Sequence, residues 1–172
     1  MQLARDIAQL GRRLGFKIWI GRHRQRRREL AELMTDAERR VYLPVHVRGS
    51  PEAVADLDCV WYDRGRMVFM WKIEWTARLH PTLVTLGEAI PDGERLFRFL
   101  VVPEERRDLI RLKFQRAPML AGLAQQRAWR LVKYAPLRAF ALQEQVDLNG
   151  LEPLIGLEPS VEQAGHQLVF NW

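Results

Sequence analysis

The sequence predicts a single α/β domain whose mixed β-sheet is flanked by helices, and three observations predict it. Apolar patterns follow one another in the order helix, strand, helical insertion, hairpin, helix, strand, helix, strand, helix. Two successive strand-helix units on an initial hairpin mean a mixed sheet with helices on both faces. Leu96 to Val102 is almost continuously apolar, which suits a strand covered on both faces. A chain of 172 residues is long enough for one proper core and too short for two ordinary domains. The domain is expected over residues 1–148, with 149–172 as a C-terminal extension.

Each element has its own signal. Leu3, Ile7, Leu10 and Leu14 recur at helical spacing, and Gly15 stands where a helix ends. Phe16, Ile18 and Ile20 alternate with Lys17 and Trp19 as in a short strand closed by Gly21. A helix with Leu30, Leu33, Met34, Ala37 and Val41 on one face follows, and Pro44 and Gly49-Ser50-Pro51 break the chain after it. Residues 56–76 read as two strands joined by a tight turn at Arg64-Gly65. His80-Pro81 opens a helix bearing Leu83, Leu86 and Ile90, and Pro91-Asp92-Gly93 ends it. Past the apolar strand, Pro103 starts a helix with Glu104 and Glu105 at its positive end and Arg111, Lys113 and Arg116 toward the other. Trp129, Leu131 and Val132 form a further strand, and Pro136 opens a last helix through Leu137, Phe140, Ala141 and Leu148. Beyond Gly150 the order weakens.

Composition narrows the function. The net charge is +6, and arginine greatly outnumbers lysine, a balance that suits bidentate recognition of phosphate. Five arginines, Arg22, Arg24, Arg26, Arg27 and Arg28, fall within seven residues; a solvated helix entry accounts for such a run, and so does a phosphate-contacting insertion. The lone Cys59 excludes a disulfide framework and a zinc knuckle, and the four histidines lack ligand spacing. No apolar run reaches the ~20 residues of a membrane span. The amphipathic, arginine-bearing N-terminus has no signal-peptide core, so a cytoplasmic protein is expected.

Chemistry concentrates in the hairpin. Lys72 and Glu74 lie two apart on an otherwise apolar strand and so share a face. Burying charge there is costly unless it is paired or used. With Asp58 on the preceding strand, these residues can supply two hard oxygen ligands for magnesium and a lysine that stabilises a phosphorane. Convergence depends on the turn. A two-residue loop at Arg64-Gly65 faces Asp58 away from Lys72 and Glu74, whereas a three-residue loop with Gly65 in the left-handed position brings all three to one face. Lesser candidates are Asp6 on the first helix, Asp56 near Asp58, and Thr76 after the motif. Trp61, Trp71 and Trp75 are either core or base-stacking residues.

The segments L-D-C-V-W-Y-D, M-W-K-I-E-W-T and F-L-V-V-P-E-E-R-R-D, in this order, resemble the PD-(D/E)XK nucleases, the restriction-endonuclease-like superfamily, over roughly residues 2–148. The resemblance implies a restriction-endonuclease-like mixed sheet flanked by helices. It also implies hydrolysis of phosphodiester bonds in DNA with Mg2+ or Mn2+. Asp58 matches the family's first aspartate and Glu74 the last position of its paired motif, so these are the implied metal ligands, and Asp58, Lys72 and Glu74 the implied catalytic group. Lys72 departs from the pattern, since the family usually has an acid there. Two readings follow: one-metal catalysis with Lys72 assisting, or a degenerate site in which Lys72 forms a structural ion pair and the fold binds nucleic acid or a partner subunit. Specificity is expected from a homodimer or a partner subunit, and no membrane partner is expected.

Overall fold

The computed structural model describes residues 2–36, 56–74, 86, 96–119, 122, 129–154, 159–162 and 167–170. Expectations for Ala37, Val41, Pro44, Trp75, Thr76 and most of the helix after His80 lie outside these residues.

Helix α1 (Gln2–Arg13) carries its apolar stripe on the buried side, and Gly15 leaves it at a φ of 87°. Strand β1 (Lys17–Ile20) follows, then a seven-residue arginine-rich turn that enters the one-turn helix α2 (Arg28–Ala31). The expected helix over Leu30–Val41 is therefore shorter among the described residues. Leu30 and Met34 are nevertheless buried, and the chain then turns back to the sheet. Thr35 meets the outer edge of β1: its hydroxyl accepts the Ile18 N–H at 2.9 Å and its own N–H donates to the Ile18 carbonyl at 3.0 Å. Gln25 donates to the Ile20 carbonyl at 2.7 Å, so side chains and loop backbone cover an edge that would otherwise expose ladder groups.

Strands β2 (Cys59–Asp63) and β3 (Arg66–Ile73) form the hairpin. Strand β4 (Phe97–Val102) leads through a 3-10 turn (Glu104–Arg106) into α3 (Arg107–Arg116). Strand β5 (Trp129–Lys133) runs directly into α4 (Tyr134–Ala141). The last expected helix thus begins two residues before Pro136 and stops at Ala141. Leu148 opens a separate one-turn helix, α5 (Leu148–Leu151). Leu151 is buried in the same core as Leu137 and Phe140. Strands β6 (Pro159–Glu162) and β7 (Gln167–Phe170) pair antiparallel in a small second sheet, more order than the sequence suggested for this end.

The main sheet has the order β1-β2-β3-β4-β5, with antiparallel pairing from β1 to β3 and parallel pairing from β3 to β5. It is the expected mixed sheet with flanking helices. β4, parallel on both sides, is buried from Arg98 to Val102, as its apolar run required. One face is aromatic. Phe16 stacks on Trp61, Trp61 meets Trp71 at 4.8 Å between ring centroids, and Trp71 meets Phe99 at 4.5 Å. α1 lies against this face so closely that a side-chain carbon at Gly11 would come within 2.5 Å of the Trp61 ring. Trp61 and Trp71 are fully buried, which settles them as core.

Candidate functional site

The hairpin turn has two residues, with Asp63 opposite Arg66. Arg64 and Gly65 both have positive φ, 47° and 75°, as a type I′ turn requires. By the parity expected from the sequence, such a turn would separate Asp58 from Lys72. The structure corrects that expectation. Tyr62 faces Met67 while Trp61 faces Phe69, so Val68 is an extra residue in β3. This β-bulge makes the parity change assigned to a longer turn. Beyond it, Phe69 and Trp71 go to the aromatic face, and Lys72 goes to the other face with Asp58.

Asp58 sits just before β2, only 1% exposed. Its backbone N–H donates to the Trp71 carbonyl at 3.1 Å. One carboxylate oxygen, Oδ2, accepts the Ile73 backbone N–H at 2.5 Å, so the side chain takes the place of a backbone acceptor where the β2–β3 ladder ends. Lys72 Nζ lies 3.9 Å from the same oxygen and donates to the Asp56 carbonyl at 2.7 Å. Glu74 continues β3 through an N–H to the Val101 carbonyl at 3.0 Å. It is 6% exposed and, two residues on, shares the face of Lys72. Asp58, Lys72 and Glu74 are thus on one side of the sheet.

The other carboxylate oxygen, Oδ1, is held by the arginine-rich turn. His23 Nε2 lies 3.0 Å from it, and Arg24 Nε forms a salt bridge to it. Facing an ionised carboxylate, that ring nitrogen of His23 carries the proton and donates. Gly21 makes this approach possible. Its N–H donates to the Asp58 carbonyl at 3.1 Å, and a side-chain carbon there would overlap the Leu57 carbonyl oxygen. Arg24 and Gln25 N–H groups then return to the Gly21 carbonyl at 2.8 and 3.1 Å, which wraps the turn over Asp58. Burial by itself raises the Asp58 carboxyl. The His23 hydrogen bond, the Lys72 and Arg24 charges and the Ile73 N–H outweigh it and hold the group below its ordinary range. Cys59, next in the chain, is pushed well up by burial and by the Asp58 charge, so it is an inert buried thiol.

The arginine run therefore divides. Arg24 is turned inward, its side chain 19% exposed, whereas Arg22, Arg26, Arg27 and Arg28 remain at the surface. Arg28 pairs with Glu32 at 2.8 Å. Neither His23 nor Arg24 was picked out by the sequence as a neighbour of Asp58. The only signal was Gly21, a small residue at a strand end immediately before the basic run.

The lesser candidates separate. Asp56 is exposed and contributes its carbonyl to Lys72. Asp6 is buried, accepting from Gln2 at 2.7 Å and from the Tyr134 hydroxyl at 3.3 Å, with Arg138 at 3.8 Å. These contacts join α1 to α4, and none of them involves Asp58, Lys72 or Glu74. Burial and the Asp6 charge raise the Tyr134 phenol. Thr76 lies outside the described residues.

A magnesium ion at Asp58 needs an open carboxylate oxygen. Both oxygens are taken, one by a guanidinium and an imidazole, the other by a backbone N–H with an ammonium nearby. As arranged, Asp58 offers a divalent metal no open oxygen, and among the described residues no group of three or more His, Cys, Asp or Glu side chains is placed to hold one. What the arrangement does chemically is fix an arginine-rich turn to the sheet. No described helix is long and apolar enough to cross a membrane. In comparison with known proteins, the chain matches no family model, no curated protein and no solved structure.

Proposed function

We propose that this chain is a degenerate PD-(D/E)XK nuclease-fold module that binds DNA through the phosphate backbone and does so without a metal. The observation that carries the reading is the salt bridge of Arg24 to Asp58. A guanidinium stands on the carboxylate that the family resemblance assigns to the metal. The mixed sheet with flanking helices supports the nuclease-like fold, and the exposed Arg22, Arg26, Arg27 and Arg28 supply the phosphate contacts. Binding of a short DNA duplex should weaken steeply as salt rises and be unchanged by a chelator. Salt-insensitive binding, or binding that needs Mg2+, would count against it.

A second reading, a Mg2+- or Mn2+-dependent endonuclease, is favoured by one specific observation: Asp58, Lys72 and Glu74 share a sheet face. It requires Arg24 and His23 to leave Asp58. Plasmid DNA incubated with the protein and Mg2+ or Mn2+ separates the readings. Cleavage by wild type that is lost in Glu74→Ala selects the nuclease, and no cleavage selects the binding module.

A further inference from the structure

We infer that Asp58 is the positioning residue of the DNA-binding turn: its buried carboxylate and its backbone carbonyl fasten Gly21–Arg28 to the sheet, so that the exposed arginines are preorganised for phosphate. The ligand in this inference rests on the DNA-binding reading, but the fastening itself does not.

Three attachments converge on one residue. The Gly21 N–H reaches the Asp58 carbonyl, and His23 and Arg24 reach one carboxylate oxygen. The other oxygen is bonded to the Ile73 N–H in β3, so the turn is tied through Asp58 to two strands of the main sheet. Arg22, Arg26, Arg27 and Arg28 follow or interrupt these attachments within a few residues and are exposed. Long basic side chains on a loose loop must be ordered when they bind, and that ordering opposes association. A turn already wrapped on Gly21 and clamped at Arg24 moves the backbone share of that cost into folding. Asp58 then acts on DNA only through the turn.

The inference predicts an effect opposite in sign to simple electrostatics. Removing a carboxylate near bound phosphate should strengthen binding when that group is a bystander or an unfilled metal ligand. As a positioning residue, Asp58→Asn should instead weaken binding of a DNA duplex by about tenfold and flatten its salt dependence. Arg24→Gln should weaken it similarly, and the double variant should bind no worse than the weaker single one, because both act through one contact. Tighter or unchanged binding by folded Asp58→Asn overturns the inference.

Limited trypsin digestion reads the fastening without DNA. Cleavage after Arg22, Arg24, Arg26, Arg27 and Arg28 in the native protein should rise about tenfold in Asp58→Asn, since cleavage tracks the open population. Arg24→Gln keeps the Ile73 bond to Asp58 and so serves if Asp58→Asn does not fold; cleavage after Arg22, Arg26, Arg27 and Arg28 should rise in it as well. Unchanged cleavage at those four sites in a folded variant of either kind overturns the inference. If wild type does not bind DNA, the functional reading fails while the digestion still decides whether Asp58 holds the turn.

Discussion

The two faces of the β2–β3 hairpin use opposite means to stay in place. On one face Trp61, Phe69 and Trp71 stack with Phe99 and Phe16, and the stabilisation comes from removing large rings from water. On the other face Asp58 gathers His23, Arg24, Lys72 and the Ile73 N–H. Here the charges offset the cost of each other's burial rather than adding much net stability. The aromatic face tolerates graded loss. The charged face is all or none, because removing one partner leaves the others stranded. A single extra residue, Val68, decides which side chains belong to which face.

The sharpest way to break this division is to insert one residue between Phe69 and Met70. With the two-residue turn and the Val68 bulge kept, the one-residue shift sends Trp71 toward the charged face and Lys72 toward the aromatic one. Loss of cooperative thermal unfolding is the expected outcome, measured by circular dichroism. Trp71→Ala should leave the division intact but thin the aromatic side, costing about 3–5 kcal/mol in denaturant unfolding. Asp58→Ala should cost roughly 3 kcal/mol, since it leaves Arg24 and Lys72 largely buried without their carboxylate. A cost near zero would mean that the two cations relax into water.

Acid sharpens the same contrast. The folded Asp58 carboxyl lies below its ordinary, unfolded value, so the unfolded chain binds more protons between the two. Stability from this group is therefore present above the unfolded value and lost as pH falls through the folded one. Asp58→Asn should show a shallower loss of melting temperature over that acid window, whereas Trp71→Ala should keep the wild-type slope. The smallest effect expected is from Tyr134→Phe, which removes the hydroxyl that donates to Asp6. About 1 kcal/mol is expected in denaturant unfolding.

Much of the sheet was legible because period-two alternation and large apolar residues mark strands however the chain is later folded. The shared face of Asp58 and Lys72 was legible only as one of two outcomes that hung on the turn, and the bulge that produces it was not legible. Arg64-Gly65 satisfies both a two-residue and a three-residue turn in sequence, and nothing about Val68 distinguishes a bulged residue from a paired one. The convergence of His23 and Arg24 on Asp58 joins residues more than thirty positions apart. A basic run reads locally as a solvated surface, and only the close packing of Gly21 on Leu57 brings one arginine inward. The last helix reads as overlong because Leu148, which opens a separate turn, continues the apolar spacing past Ala141, while Pro136 lies inside the first turn of a helix that has already left β5.

The contacts along the outer side of β1 carry one more consequence. Ile18 and Ile20 present their ladder groups away from β2, and Thr35 and Gln25 occupy them. Gln25 belongs to the same turn that Asp58 holds. A loosened turn would therefore do more than scatter arginines: it would bare a short template for intermolecular strand addition, the first step toward aggregation. What steadies the basic surface also keeps the sheet from propagating into a second molecule at this edge.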